Sequence, residues 1–225
     1  IAVATRTLTS GSQHRGINIT TSSGNGYVIT NNVIGYASST GTGVTTYTAS
    51  AGRFFGIELT AATTGTTSSI QGNTISGISL TSTSGTTTAP GIFAGISVLG
   101  GNVSVGDITP NIIGASTGTG AITVSNSTNA NIFGIHATST GTLAIVNNVI
   151  GGITGAGNAA GVSCGITGIN TTGASTATTV TGNTIGGSTA NSIVSGVSGT
   201  TTAATTVSGI ATTGGVTTLT VSGNT

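Results

Sequence analysis

Chemistry in this chain would have to come from very few side chains. The groups able to trade protons near neutral pH or below are Glu58, Asp107, His14, His136 and Cys164. General acid and base catalysis needs such groups within hydrogen-bond reach of each other or of a substrate, and glycoside hydrolysis needs two carboxyls about 5–10 Å apart. Glu58 and His136 each follow a Gly-Ile pair, in a slot that also holds Asn18, Ser97, Thr167 and Ala211 and that strand alternation places on the outer face. If each repeat makes two coils, the two residues lie about 19 Å apart along the stack. They are not expected to cooperate. Asp107 falls on another strand, beside an inward Ile108, and no catalytic residue is expected.

Other residues invite chemistry and have a plainer reading. Cys164 sits alone in an apolar slot, with no histidine at a spacing that makes a nucleophile and base, so it reads as a small buried hydrophobe. Asparagine recurs at Asn32, Asn73, Asn111, Asn148, Asn183 and Asn224. Hard cations want several carboxylate oxygens, and with two carboxylates in the chain no metal or other cofactor is expected. The asparagine amides are expected instead to bond to corner backbone and to one another, as a structural ladder. The phenylalanines Phe54, Phe55, Phe93 and Phe133 cluster just before Gly-Ile pairs, a phase that elsewhere carries Ala94, Ile132, Cys164 and Val207. They are expected to form one internal aromatic stack rather than a solvent-facing sugar platform.

The elements that hold these residues follow from composition and period. Only three Arg and two acidic residues are present among 225, and lysine is absent. About a quarter of an ordinary soluble chain is charged. A net charge of +1 leaves no basic footprint for phosphates, so nucleic acid is not an expected partner. The apolar runs are far shorter than the roughly 20 residues of a membrane-spanning helix, so no membrane insertion of this segment is expected. Residues 1–25 lack the basic start and apolar stretch of a signal peptide, which places any export or anchoring signal outside this chain.

Internal repetition organises the whole length. Gly-Ile anchors occur at Gly16, Gly56, Gly95, Gly134, Gly165 and Gly209, spaced 40, 39, 39, 31 and 44 residues apart, while the asparagines are spaced 41, 38, 37, 35 and 41 apart. Three residues before each asparagine stand Ile29, Ile70, Ile108, Ile145, Val180 and Val221; two after it stand Ile34, Ile75, Ile113, Ile150 and Ile185. Such alternation of β-branched residues reads as short strands with one inward face. Glycine every few residues opposes helix. The fold class predicted is all-β: a right-handed parallel β-helix (β-solenoid) of about 38-residue repeats, each expected to make two coils, continuous over 1–225 and forming a portion of a longer protein.

The Gly-Asn-Thr-Ile copies at 72–75 and 182–185 and the Asn-Asn-Val-Ile copies at 31–34 and 147–150 resemble the coils of right-handed parallel β-helix proteins. The Thr, Gly and Ser bias resembles the β-strand-repeat surface proteins that Bacteroidota export, many by type IX secretion. This resemblance implies an extracellular, cell-surface setting and a structural or adhesive stalk or fibre, with glycans or copies of itself as partners. The alternative is an ice- or polysaccharide-binding solenoid, which needs Thr-x-Thr at one phase of every coil. Thr138-x-Thr140-x-Thr142 has no counterpart after Gly95, and the Gly-to-Asn distance varies from 14 to 18 residues. A polysaccharide-degrading scaffold is disfavoured by the lack of acids.

Overall fold

A computed structural model describes residues 5–8, 11–118, 120–158, 160–196 and 205–225; the rest of the 1–225 segment lies outside the described residues. The first coil holds β1 (Thr5–Leu8), β2 (Gln13–Thr20), β3 (Val28–Thr30) and β4 (Val33–Ile34). The second holds β5 (Thr45–Ala49), β6 (Arg53–Thr60), β7 (Ser68–Gln71) and β8 (Thr74–Ile75), and the third β9 (Ile78–Ser82), β10 (Phe93–Gly100), β11 (Val103–Val105) and β12 (Ile112–Gly114). The fourth holds β13 (Ile122–Asn126), β14 (Ala130–Ala137), β15 (Thr142–Val146) and β16 (Val149–Gly151). The fifth holds β17 (Ile153–Gly157), β18 (Cys164–Thr171), β19 (Ala177–Thr181) and β20 (Thr184–Ile185), and β21 (Ile193–Gly196), β22 (Val207–Thr212) and β23 (Leu219–Ser222) follow.

Strands at the same phase pair in parallel, giving four sheets that run the length of the stack: A (β1-β5-β9-β13-β17-β21), B (β2-β6-β10-β14-β18-β22), C (β3-β7-β11-β15-β19-β23) and D (β4-β8-β12-β16-β20). The chain is thus a parallel β-solenoid of about five turns. Each repeat makes one four-sided coil, not two: Ile57 pairs with Ile96 and Ile96 with Ile135, each a full repeat apart. The Gly-Ile strand and the Asn strand are two sides of one coil. Four strands in four different sheets take up the whole repeat before the chain returns to the same sheet.

The two sequence anchors meet inside the coil. A Cβ built on Gly95 would lie 2.6 Å from Ile113 Cγ2 and 2.7 Å from the Gly134 carbonyl oxygen, and Gly16, Gly56, Gly134 and Gly168 are equally crowded by Ile34, Ile75, Ile150 and Ile185. Bare backbone in sheet B therefore lets the sheet D isoleucines fill the lumen. Gly168, rather than Gly165, holds this place in the fifth coil, because β14 and β18 pair Ile135 with Ile169. Gly165-Ile166 repeats the anchor dipeptide three residues early, which explains the irregular spacings of 31 and 44.

The column before the asparagines also needs one correction. Ile29, Ile70, Ile145, Val180 and Val221 stack in register, but the third place belongs to Val105. Ile108 is 79% exposed. The third corner is longer than the others, so counting back from Asn111 lands on the bulging loop instead of the strand.

Candidate functional site

The six asparagines occupy the corner between sheets C and D. Nδ2 of Asn32 donates to Oδ1 of Asn73 at 2.9 Å, and the same bond runs from Asn73 to Asn111, Asn111 to Asn148, Asn148 to Asn183 and Asn183 to Asn224, at 2.9–3.0 Å. Each Nδ2 from Asn73 onward also reaches a carbonyl of the preceding coil, for example Ile29 or Val105. The residue before the asparagine takes a positive φ (Asn31, Gly72, Asn147, Gly182, Gly223), hence the recurring Asn-Asn and Gly-Asn pairs. Asn73, Asn111, Asn148 and Asn183 are fully buried. Their amides are consumed by the ladder, so this column is scaffold rather than ligand site.

The four phenylalanines divide between two faces of sheet B. Phe54 and Phe93 point into the lumen and stack, with ring centroids 5.5 Å apart and planes 9° apart; His14 extends the stack at 5.2 Å from Phe54, and Tyr47 packs beside both. A cavity of about 210 Å³ opens here, lined by His14, Ile17, Asn32, Ile34 and Tyr47 among others. Phe55 and Phe133 lie on the other face with Ala94 between them, making a small outer core that Ala89 helps to cover. A single inward stack was expected; residues one apart on a strand point oppositely, so adjacent Phe54 and Phe55 cannot share it.

Cys164 pairs with Ala130 rather than with the phenylalanine slot. It is buried and its thiol bonds to the Ala156 carbonyl oxygen at 3.4 Å. Burial raises its pKa to about 11, which keeps it a neutral thiol.

The slot after the Gly-Ile anchor carries Asn18, Glu58, Ser97, His136, Asn170 and Ala211 in successive coils, with Asn170 where Thr167 was expected. It lies on the outer side of sheet B, yet Glu58, Ser97, His136 and Asn170 are all buried. With one coil per repeat, Glu58 and His136 stand about 10 Å apart along the stack rather than 19. Ser97 lies between them. Neither Ser97 Oγ nor His136 Nε2 finds a hydrogen-bond partner among the described residues. Asn170 Nδ2 lies 3.2 Å from His136 Nδ1. Burial pulls the His136 pKa down to about 4. Glutamate, serine and histidine thus form a buried polar column on this side of sheet B.

At the first two coils this face becomes charged. Arg15 Nε donates to Glu58 Oε1 at 2.5 Å and its Nη2 bonds to Gln13, while Arg53 Nε donates to the Gly91 carbonyl oxygen at 2.7 Å. Both guanidiniums sit over Phe55, with Cζ 5.8 Å (Arg15) and 4.8 Å (Arg53) from the ring centroid. Burial holds the Arg53 pKa below its ordinary value, an effect that Glu58 opposes and Arg15 reinforces. The shared phase of Arg15 and Phe55, each one residue before its anchor glycine, is the sequence signal that places them side by side. Asp107 is remote from this cluster, bonded to Gln71 at the third corner. Among the described residues no group of three His, Cys, Asp or Glu could hold a metal ion, and no helix is long and apolar enough to cross a membrane.

No protein-family model, no curated protein and no solved structure matches the chain.

Proposed function

We propose that the chain is structural and adhesive: a rigid rod segment of an extracellular stalk or fibre, of the type that Bacteroidota place on the cell surface. The observation that carries this reading is the unbroken asparagine ladder, which ties every coil to the next through buried amide bonds. Such a rod grows by adding coils, each held by its neighbours. Glu58, His136 and Cys164 are buried, and exposed Asp107 is bonded to Gln71 far from them, so the reading includes no enzymatic turnover. Glycans or copies of the chain are its partners. The test is a glycan array probed with the purified chain, beside reducing-sugar and unsaturated-product assays. Retention on extracellular glycans or self-association without product formation supports the reading; turnover abolished by Glu58→Gln or Asp107→Asn overturns it.

A second reading is favoured by sheet A. Its outward side carries two columns, Thr46/Ser79/Thr123/Thr154 and Thr48/Thr81/Ser125/Ala156, in unbroken register. The hydroxyls repeat at about 6.7 Å along the strands and about 4.8 Å between coils. The grid is uncharged, with Thr in both columns of β5 and Ser or Ala replacing one of the two in β9, β13 and β17, whereas Thr138 lies in the turn after sheet B. The grid supports binding to ordered water at an ice surface. Thermal hysteresis that is lost in Thr123→Lys and kept in Thr179→Lys on sheet C would support it; no ice shaping by the parent chain would remove it.

A further inference from the structure

We infer that the Arg15 and Arg53 guanidiniums over Phe55 form a binding site for a compact oxyanion, a carboxylate or sulfate group. Three of the chain's five charged residues converge on this one spot. They do not balance: two cations share one carboxylate, leaving a local surplus of one positive charge. Glu58 engages Arg15, and Gln13 takes another of its donors, but Arg53 has only the neutral Gly91 carbonyl. Arg53 Nη2 is buried and has no hydrogen-bond partner. A buried guanidinium donor left unpaired is expensive, and its natural complement is an oxyanion able to accept two parallel N–H bonds.

The surroundings suit that role. Phe55 is buried beneath both cations and gives an apolar floor, which lowers the local dielectric and strengthens charge–charge attraction. The Arg15 side chain is 31% exposed and Gln13 is exposed, so the anion has an entry side. Phe55 is too covered to act as a sugar-stacking platform, so recognition rests on the charged oxygens alone. A free inorganic ion and a carboxylate borne on a uronic acid chain share that chemistry. The inference stands apart from the adhesive reading, since either source of anion leaves it intact.

The experiment is calorimetric titration of the intact chain with sodium sulfate, and separately with digalacturonate, in a chloride background of matched ionic strength. We expect saturable binding of sulfate in the parent chain and a loss of about tenfold or more in Arg53→Gln, the equivalent of one charge-assisted bond. Glu58→Gln removes the internal competitor and is expected to tighten binding by a similar factor. Binding of both probes assigns the site to carboxylates on acidic glycans as well as to free ions; binding of sulfate alone assigns it to free ions. A heat that never saturates, or an affinity unchanged by Arg53→Gln, overturns the site. If Arg53→Gln does not fold, Glu58→Gln decides: affinity unchanged or weakened there overturns it equally.

Discussion

Asn148 accepts a bond from Asn111 and donates to Val105, Val146 and Asn183, so its loss orphans groups on three successive coils. We expect Asn148→Ala to destabilise the stack by about 1–3 kcal/mol. Thermal or denaturant melts check this against Thr123→Ala on the outer face; equal shifts would show that the ladder contributes nothing. The crowded glycines act by the opposite physics. Gly95→Ala forces a methyl into the Gly134 carbonyl and Ile113, at an expected cost of about 1–3 kcal/mol from overpacking. His136 sets the pH response. Its folded pKa, about 4, is below the ordinary 6.5, so the neutral form is favoured in the fold. Its contribution is therefore complete above pH 6.5 and is lost progressively as pH falls toward 4. The loss reaches about 3 kcal/mol at most. A melting temperature followed over that range should fall less steeply in His136→Asn than in the parent chain; parallel curves would locate the acid sensitivity elsewhere.

The corners are the elements that vary. Between sheets C and D the third coil has five residues, Gly106–Pro110, where the second has Gln71-Gly72, and Gln71 braces this bulge by accepting the amides of Ile108 and Thr109 at 3.1 and 3.2 Å. Asn111 still enters the ladder at its usual place. Surface loops of this kind tolerate length change at small entropic cost. Replacing Gly106–Pro110 with Gln-Gly, the corner of the second coil, is therefore expected to leave stability within about 1 kcal/mol of the parent. A fall as large as that of Asn148→Ala would show that the bulge itself holds the coil.

Across the whole molecule, stability is a sum of coil-to-coil interfaces. Strands of the third and fourth coils pair on both sides, whereas β1 to β4 and β20 to β23 each have one paired neighbour in their sheets. Hydrogen exchange should consequently be slowest in β10 and β14 and faster in β2, β22 and β23. Uniform protection along the axis would contradict independent coil interfaces.

The asparagine phase, the isoleucine that follows it and the 38-residue period were legible in the sequence alone, because each lies within a short segment of fixed length and stacking repeats it in every coil. Parallel stacking followed from that repetition. The number of coils per repeat did not, since periodicity counts residues between equivalent places and is blind to how many sides the chain turns on the way. Ile108 and Gly165 were misplaced for a related reason: an insertion or a duplicated dipeptide shifts a count without shifting the strand that pairing holds in register. Tertiary structure alone decided which face each phenylalanine took, and it buried a polar slot that alternation had assigned to solvent. Residues forty positions apart, Arg15 and Phe55 among them, become neighbours only when whole coils close at about 4.8 Å.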